Sequence, residues 1–360
     1  MSSRLNNCIF LKACRGEHTD QTPIWLYRQA GRYMKEYHQV KGDTPSLTFF
    51  KSPDLAARVT CDAQRILDLD AAILFTDLLP ILEPMGLCLD YIPGLGPDIS
   101  NPVRNYKHID ALKVLPAADT VDYIGATISL ARSELPGDIP LIGFAGAPFT
   151  LASYAIEGRG SKNYLFVKKL MYSDEKAWHV LMSKVTDVVI DYVAYQIACG
   201  VQAVQLFDSW VGCLGPDTYR RYVLPHSKRL VESVRGDVPI IHFGTGNPAL
   251  LPQMHEAGAD VLAVDWRSSL VDVWRELGPR AVQGNLDPLI LCGNQTSVVR
   301  EAKALLDSVA GKPGHIFNLG HGIIPETPVT NVQALITVSY THLRAHETVL
   351  DLVCRLLLEK

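Results

Sequence analysis

The chain has 360 residues, 48% of them hydrophobic, with eight cysteines and a formal net charge of −4. That is enough for a large core, built either as two domains or as one α/β barrel. The charge, with no basic run of five or more residues, argues against a nucleic-acid binder, and cysteines without a C-x-x-C pair fit reduced thiols better than a disulfide framework.

In chain order, the opening M-S-S-R-L-N-N lacks the apolar core of a signal peptide, so a cytoplasmic protein is expected. The first apolar run, Ile24–Tyr27, reads as a buried strand. Seven more follow: Ala71–Phe75, Leu141–Phe144, Ala203–Phe207, Ile240–Phe243, Val261–Val264, Ala281–Gly284 and Ile316–Leu319. Between most of them lie stretches with helical spacing or helix starts, such as Ser52–Leu67, Asp174–Cys199 and Pro216–Val234. The most apolar long window, Val185–Phe207, carries Asp187 and Asp191 and is broken by Gly200. It reads as a helix running into a strand, and no membrane span is expected. Pro84–Asn105 is too rich in Gly and Pro for helix and reads as an inserted hairpin.

Continuous apolar strands alternating with helices indicate a parallel sheet covered on both faces. Eight such units predict a single-domain (β/α)8 TIM barrel, and no G-x-G-x-x-G opens a helix to favour a dinucleotide fold.

A barrel of this kind gathers its chemistry at the C-terminal ends of its strands. That rule selects Arg28 and Arg32, Asp77, Phe149 and Thr150, Asp208 and Ser209, Thr245, Asp265, Asn285 and Asp287, and His321. Arg28 and Arg32 flank Gly31 and form either a clamp for carboxylates or two solvated loop charges. Asp77 is a lone carboxylate between apolar runs: a functional acid or a helix cap. Tyr154 reads as half-buried packing, Ser209 as a turn cap, and His321, between two glycines, as structural unless its neighbours say otherwise.

The stretch R-Q-A-G-R-Y-M-K-E-Y at Arg28–Tyr37 resembles the N-terminal signature of the uroporphyrinogen decarboxylase family. F-T-D at Phe75–Asp77, F-A-G-A-P-F-T at Phe144–Thr150 and F-N-L-G-H-G at Phe317–Gly322 are similar to that family as well, so the resemblance runs from about Asn6 to about Ile336. It implies removal of carbon dioxide from the four acetate side chains of a tetrapyrrole, without cofactor or metal, in a homodimer with facing clefts. The resemblance assigns substrate contact to Arg28, Gln29, Ala30, Gly31, Arg32, Asp77, Tyr154, Ser209 and His321. Among these, Asp77, Arg28 and Tyr154 are the catalytic set. Asp77 would accept hydrogen bonds from pyrrole N–H groups and stabilise the cation that develops, while Ser209 would touch a propionate or acetate.

Two rival readings remain. Zinc-dependent methyltransferases of the same superfamily need a thiolate-rich site that typically begins with His-x-Cys at a strand end. The comparable stretch here is His242–Phe243–Gly244, and Ile316–Gly322 holds no cysteine. A non-catalytic tetrapyrrole carrier on the same barrel is the other, and the joint presence of Arg28, Arg32, Asp77 and His321 speaks against it.

From Val338 onward, V-S-Y-T-H-L-R-A-H-E-T resembles an in-frame translation of a transposase sequencing adapter, and Leu352–Lys360 the outer end of such a library sequence. The expected division is therefore 1–337 as the barrel and 338–360 as a non-native tail, with His342, His346 and Cys354 given no functional role.

Overall fold

Seven of the eight apolar runs form strands where they were expected. In the computed structural model, which describes residues 3–310 and 312–341, these are β1 (Ala72–Ile73), β4 (Leu141–Gly146), β5 (Ala203–Asp208), β6 (Ile240–Gly244), β7 (Val261–Ala263), β8 (Ala281–Leu286) and β9 (His315–Leu319). Between β1 and β4, the Gly/Pro-rich insertion folds into the antiparallel hairpin β2 (Leu89–Ile92) and β3 (Gly96–Ile99). The other seven pair in parallel in the order β1-β4-β5-β6-β7-β8-β9. Helices connect successive strands on the outside, giving the (β/α)8 arrangement.

The eighth stave is Pro23–Tyr27, which closes the gap between β9 and β1. Phe317 donates its N–H to the Pro23 carbonyl at 2.8 Å, and Asp70 donates to the Ile24 carbonyl at 3.0 Å. Only Ile24 makes a true bridge, to Phe317, so this run is less of a strand than its apolar sequence predicts. Pro23 has no N–H to give, and side chains take over from the ladder on the other residues. Leu26 N–H donates to Gln29 Oε1 (3.3 Å), Tyr27 N–H to Asn318 Oδ1 (3.1 Å) and Ile24 N–H to Asp70 Oδ2 (2.7 Å).

Helix boundaries follow their caps. Asp174 accepts from Ala177 N–H at 2.9 Å to start Glu175–Cys199, and Gly200, at φ 107°, ends it in a conformation that costs a glycine nothing. Pro216–Val234, read as one helix, is two: Pro216–Tyr222 and Leu224–Val234. The break is at Val223, because Pro225 lacks the N–H that would continue the ladder.

The barrel centre holds a polar core that hydropathy alone does not reveal. Trp25 Nε1 donates to Gln283 Oε1 (2.9 Å), and Gln283 Nε2 donates to the Tyr27 hydroxyl (2.6 Å) and Gln205 Oε1 (3.2 Å). All four are buried, so these bonds satisfy groups that would otherwise be costly there, although Gln205 Nε2 finds no hydrogen-bond partner among the described residues. The last helix among the described residues, 329–341, runs across the expected tail boundary and packs Val332, Leu335, Ile336 and Val338 against Ile24, Leu26, Leu286 and Leu319. Tyr340 donates its hydroxyl to the Asp68 carbonyl at 2.7 Å. His342, His346, Cys354 and the rest of 342–360 lie outside the described residues.

Candidate active site

A cleft of about 840 Å³ opens at the C-terminal ends of the strands, between the barrel mouth and the β2–β3 hairpin. It takes most of its polar groups from three neighbouring staves, β9, Pro23–Tyr27 and β1, which come from the two ends of the chain and meet where the barrel closes.

Arg28 sits in a turn closed by the Gln29 N–H to the Leu26 carbonyl (2.9 Å). Its φ is 62°, the left-handed region that an arginine rarely occupies. Such a conformation persists only where the surroundings hold it, and it brings the Arg28 side chain across Gly322. A Cβ on Gly322 would meet Arg28 Cδ at 2.6 Å. Gly322→Ala is accordingly expected to displace the guanidinium and lower kcat/KM about three- to tenfold with the fold kept. Steady-state kinetics check this, and a value within twofold of the parent would mean that Arg28 finds its place regardless.

Arg28 and Arg32 both line the cleft, and among the described residues neither is ion-paired with a carboxylate. Burial, and then the nearby Arg32, lower the Arg28 pKa, whereas Asp77 acts in the opposite direction. Two cations brought this close without partners form a site for anions. Ala30 and Gly31 line the same wall. Gln29 does not: its buried side chain braces the barrel seam, accepting from Leu26 N–H and donating to the Ala71 carbonyl at 3.2 Å. Its spacing in the motif gave no sign of that orientation.

Asp77 follows β1 and faces the cleft as its only carboxylate among the described lining residues. Oδ1 accepts from Leu79 N–H at 3.0 Å and from the Tyr91 hydroxyl. Burial raises its pKa, opposed first by Tyr91, then by Leu79 N–H and the Arg28 charge. So Asp77 is both the cap of the next turn and a cleft carboxylate. Capping a turn and facing the cleft are thus compatible at this position.

His321, past the end of β9, accepts the Gly322 N–H on Nδ1 at 2.8 Å, which leaves Nε2 to carry the proton. Burial, then Arg28 and Arg267, push its pKa down to about 4. At neutral pH it is an uncharged donor beside two arginines. Ser209 lines the cleft next to Phe207. Tyr154 is set back from the wall: its ring stacks on Trp210 with centroids 3.8 Å apart, and burial pushes its phenol up to about 12.

Other strand-end residues serve the scaffold. Thr150 donates to Asp208 Oδ1 at 2.9 Å, Phe149 packs 6.0 Å from Trp178, and Asp287 caps a turn at Leu289 N–H. Asp265 gathers the Thr245 hydroxyl, Gly246 N–H and the Arg267 guanidinium at 2.7–2.8 Å, while Asn285 donates to the Asp265 carbonyl. Sequence reasoning missed Tyr91 and Lys41, which both line the cleft. Tyr91 lies in the hairpin that was expected, but nothing in its spacing relates it to Asp77. His242 is fully buried, facing Asp208 Oδ2 at 3.9 Å, and no group of three or more His, Cys, Asp or Glu arranged for a metal occurs among the described residues.

Comparison with known proteins agrees with this geometry. A family model described as uroporphyrinogen decarboxylase matches residues 5–342. A uroporphyrinogen decarboxylase of Solibacter usitatus is 49% identical over 329 residues, 91% of this chain and 95% of the relative. One of Sorangium cellulosum is 49% identical over 338 residues, 93% of this chain and 97% of the relative. Among solved structures, a methyltransferase from Methanosarcina mazei aligns with a TM-score of 0.79 at 21% identity, covering 92% of this chain and 97% of its own. At that identity the likeness speaks for the barrel and not for the chemistry.

Proposed function

The chain belongs to the uroporphyrinogen decarboxylase family, and from that premise we propose how its cleft carries out the reaction. The protein is a carboxy-lyase that decarboxylates the acetate side chains of uroporphyrinogen, giving coproporphyrinogen. The observation that carries our reading is one carboxylate, Asp77, sharing a single cleft with two guanidiniums, Arg28 and Arg32, that have no carboxylate partner among the described residues.

An acetate on a pyrrole loses carbon dioxide only if the electrons of the breaking C–C bond have somewhere to go. Protonation of the pyrrole carbon makes an iminium-like cation, which takes up that electron pair. The exocyclic methylene is then protonated to a methyl, and the ring proton leaves. Asp77, oriented by Leu79 N–H and the Tyr91 hydroxyl, stabilises the cation as a carboxylate and accepts pyrrole N–H groups. Arg28 and Arg32 hold side-chain carboxylates as planar forks, and His321 donates from Nε2 to another. Ser209 supplies a hydroxyl to the cleft wall, and Tyr154 lies within electrostatic reach of Asp77. Holding the carboxylates and stabilising the cation need only the chain's own groups, so the reading includes no cofactor. Gln29 enters through its backbone setting of the Arg28 turn.

Homodimerisation, a cytoplasmic setting and a non-native tail from Val338 belong to the same proposal. The exposed Leu165 and Tyr172, seven residues apart on helix Leu165–Ser173, offer an apolar face for a second copy. No helix among the described residues is long and apolar enough to cross a membrane. The test of the function is turnover with uroporphyrinogen, followed by fluorescence after oxidation of the products. Accumulating coproporphyrin supports it; unchanged uroporphyrin overturns it.

A further inference from the structure

The β2–β3 hairpin reaches over the cleft and sends one polar side chain to Asp77. Tyr91 packs its ring against Phe50, with centroids 5.3 Å apart, and Phe50 in turn packs against Phe75, two residues before Asp77. From that fixed position the Tyr91 hydroxyl donates to Asp77 Oδ1, beside the Leu79 N–H. We infer that Tyr91 is a positioning residue for this reaction: its hydroxyl holds the Asp77 carboxylate ionised and oriented for the cation that forms in the pyrrole ring. The inference rests on the role given to Asp77 above.

The electrostatic setting supports it. Burial drives Asp77 toward its neutral form, and the Tyr91 hydrogen bond is the largest effect opposing that. A hydroxyl bonded to the charged form of an acid lowers its pKa, and removing the hydroxyl must raise it further. The remaining groups that face Asp77 come from four elements: Arg28 from its turn, Tyr154 from helix Pro148–Glu157, Tyr123 from helix Asp122–Glu134 and Tyr192 from helix Glu175–Cys199. Glu83 faces Tyr91 and is held by Lys51 at 2.6 Å. Burial raises the three phenols, so they stay neutral through the acid and neutral range. His321, near 4, and the substrate's own carboxylates titrate alike with or without the Tyr91 hydroxyl.

The experiment uses the full chain with uroporphyrinogen and compares parent, Tyr91→Phe, Asp77→Asn and the double variant from pH 5 to 8. Phenylalanine keeps the contact with Phe50 and deletes only the donor. We expect the acid limb of kcat/KM to move up by about one pH unit and turnover at pH 6 to fall about tenfold, with KM changed less than about threefold. In the Asp77→Asn background the same change should cost nothing further, because there is no carboxylate left to hold. An acid limb that stays in place overturns the inference. So does a Tyr91→Phe cost that carries over in full to the Asp77→Asn background, since a purely packing effect would do that even if the variant were less stable. Should Asp77→Asn alone turn over at the parent rate, the role of Asp77 falls and this inference with it.

Discussion

Asp77→Asn is expected to lower turnover by about a hundred- to a thousandfold while leaving affinity for the porphyrinogen within a few-fold of the parent. The substitution keeps the side chain's shape and one oxygen, so Leu79 N–H and the Tyr91 hydroxyl retain an acceptor. What disappears is the negative charge. The ground-state macrocycle is neutral at its pyrroles, and only on the way to decarboxylation does positive charge build up beside Asp77. An interaction stronger in the transition state than in the bound substrate appears in kcat and not in binding. Asp77→Glu should also be poor, because the added methylene drives the oxygens into the space the macrocycle needs. Single-turnover decarboxylation measured beside product affinity separates the two quantities. Parent-level turnover in Asp77→Asn would reduce the residue to a turn cap.

The second large effect concerns the arginines. Arg28→Lys and Arg32→Lys should each cost at least an order of magnitude in kcat/KM, about 1.4 kcal/mol, with the fold intact. Charge is conserved in both, so simple attraction of a polyanion would survive. The planar fork that meets a carboxylate through two N–H groups is lost, and an ammonium on a flexible stem does not replace it. Arg28 should be the more sensitive position, since its left-handed backbone and the bare Cα of Gly322 fix the guanidinium's path. Near-normal kinetics in both lysine variants would show them to be loop charges.

Much of this was legible in the sequence. Seven of the eight apolar runs are ladder strands because fully buried parallel strands are apolar on both faces, a signal that needs no partner information. The first run was harder to read: a proline and three side-chain acceptors replaced its ladder with contacts to Asp70, Gln29 and Asn318. Arg28, Arg32, Asp77, Ser209 and His321 could be nominated because strand ends converge on one face of a barrel. Gln29 could not be separated from its neighbours, since a motif gives spacing but not which way a turn points each side chain. Tyr91 was invisible for a different reason. Its partner is fourteen positions away across a hairpin whose packing on Phe50 is a tertiary fact. The same holds for Asp265, whose place at a strand end is shared with catalytic carboxylates in general but whose lone pairs are used by Thr245, Gly246 and Arg267.

The measurement that bears most directly on the central claim is the carbon dioxide released from uroporphyrinogen labelled in its acetate carboxyls. The purified chain would be treated with a chelator and supplied with no metal or cofactor. Release of four equivalents per macrocycle, with coproporphyrinogen as the product, is the predicted result. No labelled carbon dioxide, or release only after a metal or an organic cofactor is added back, would contradict the account.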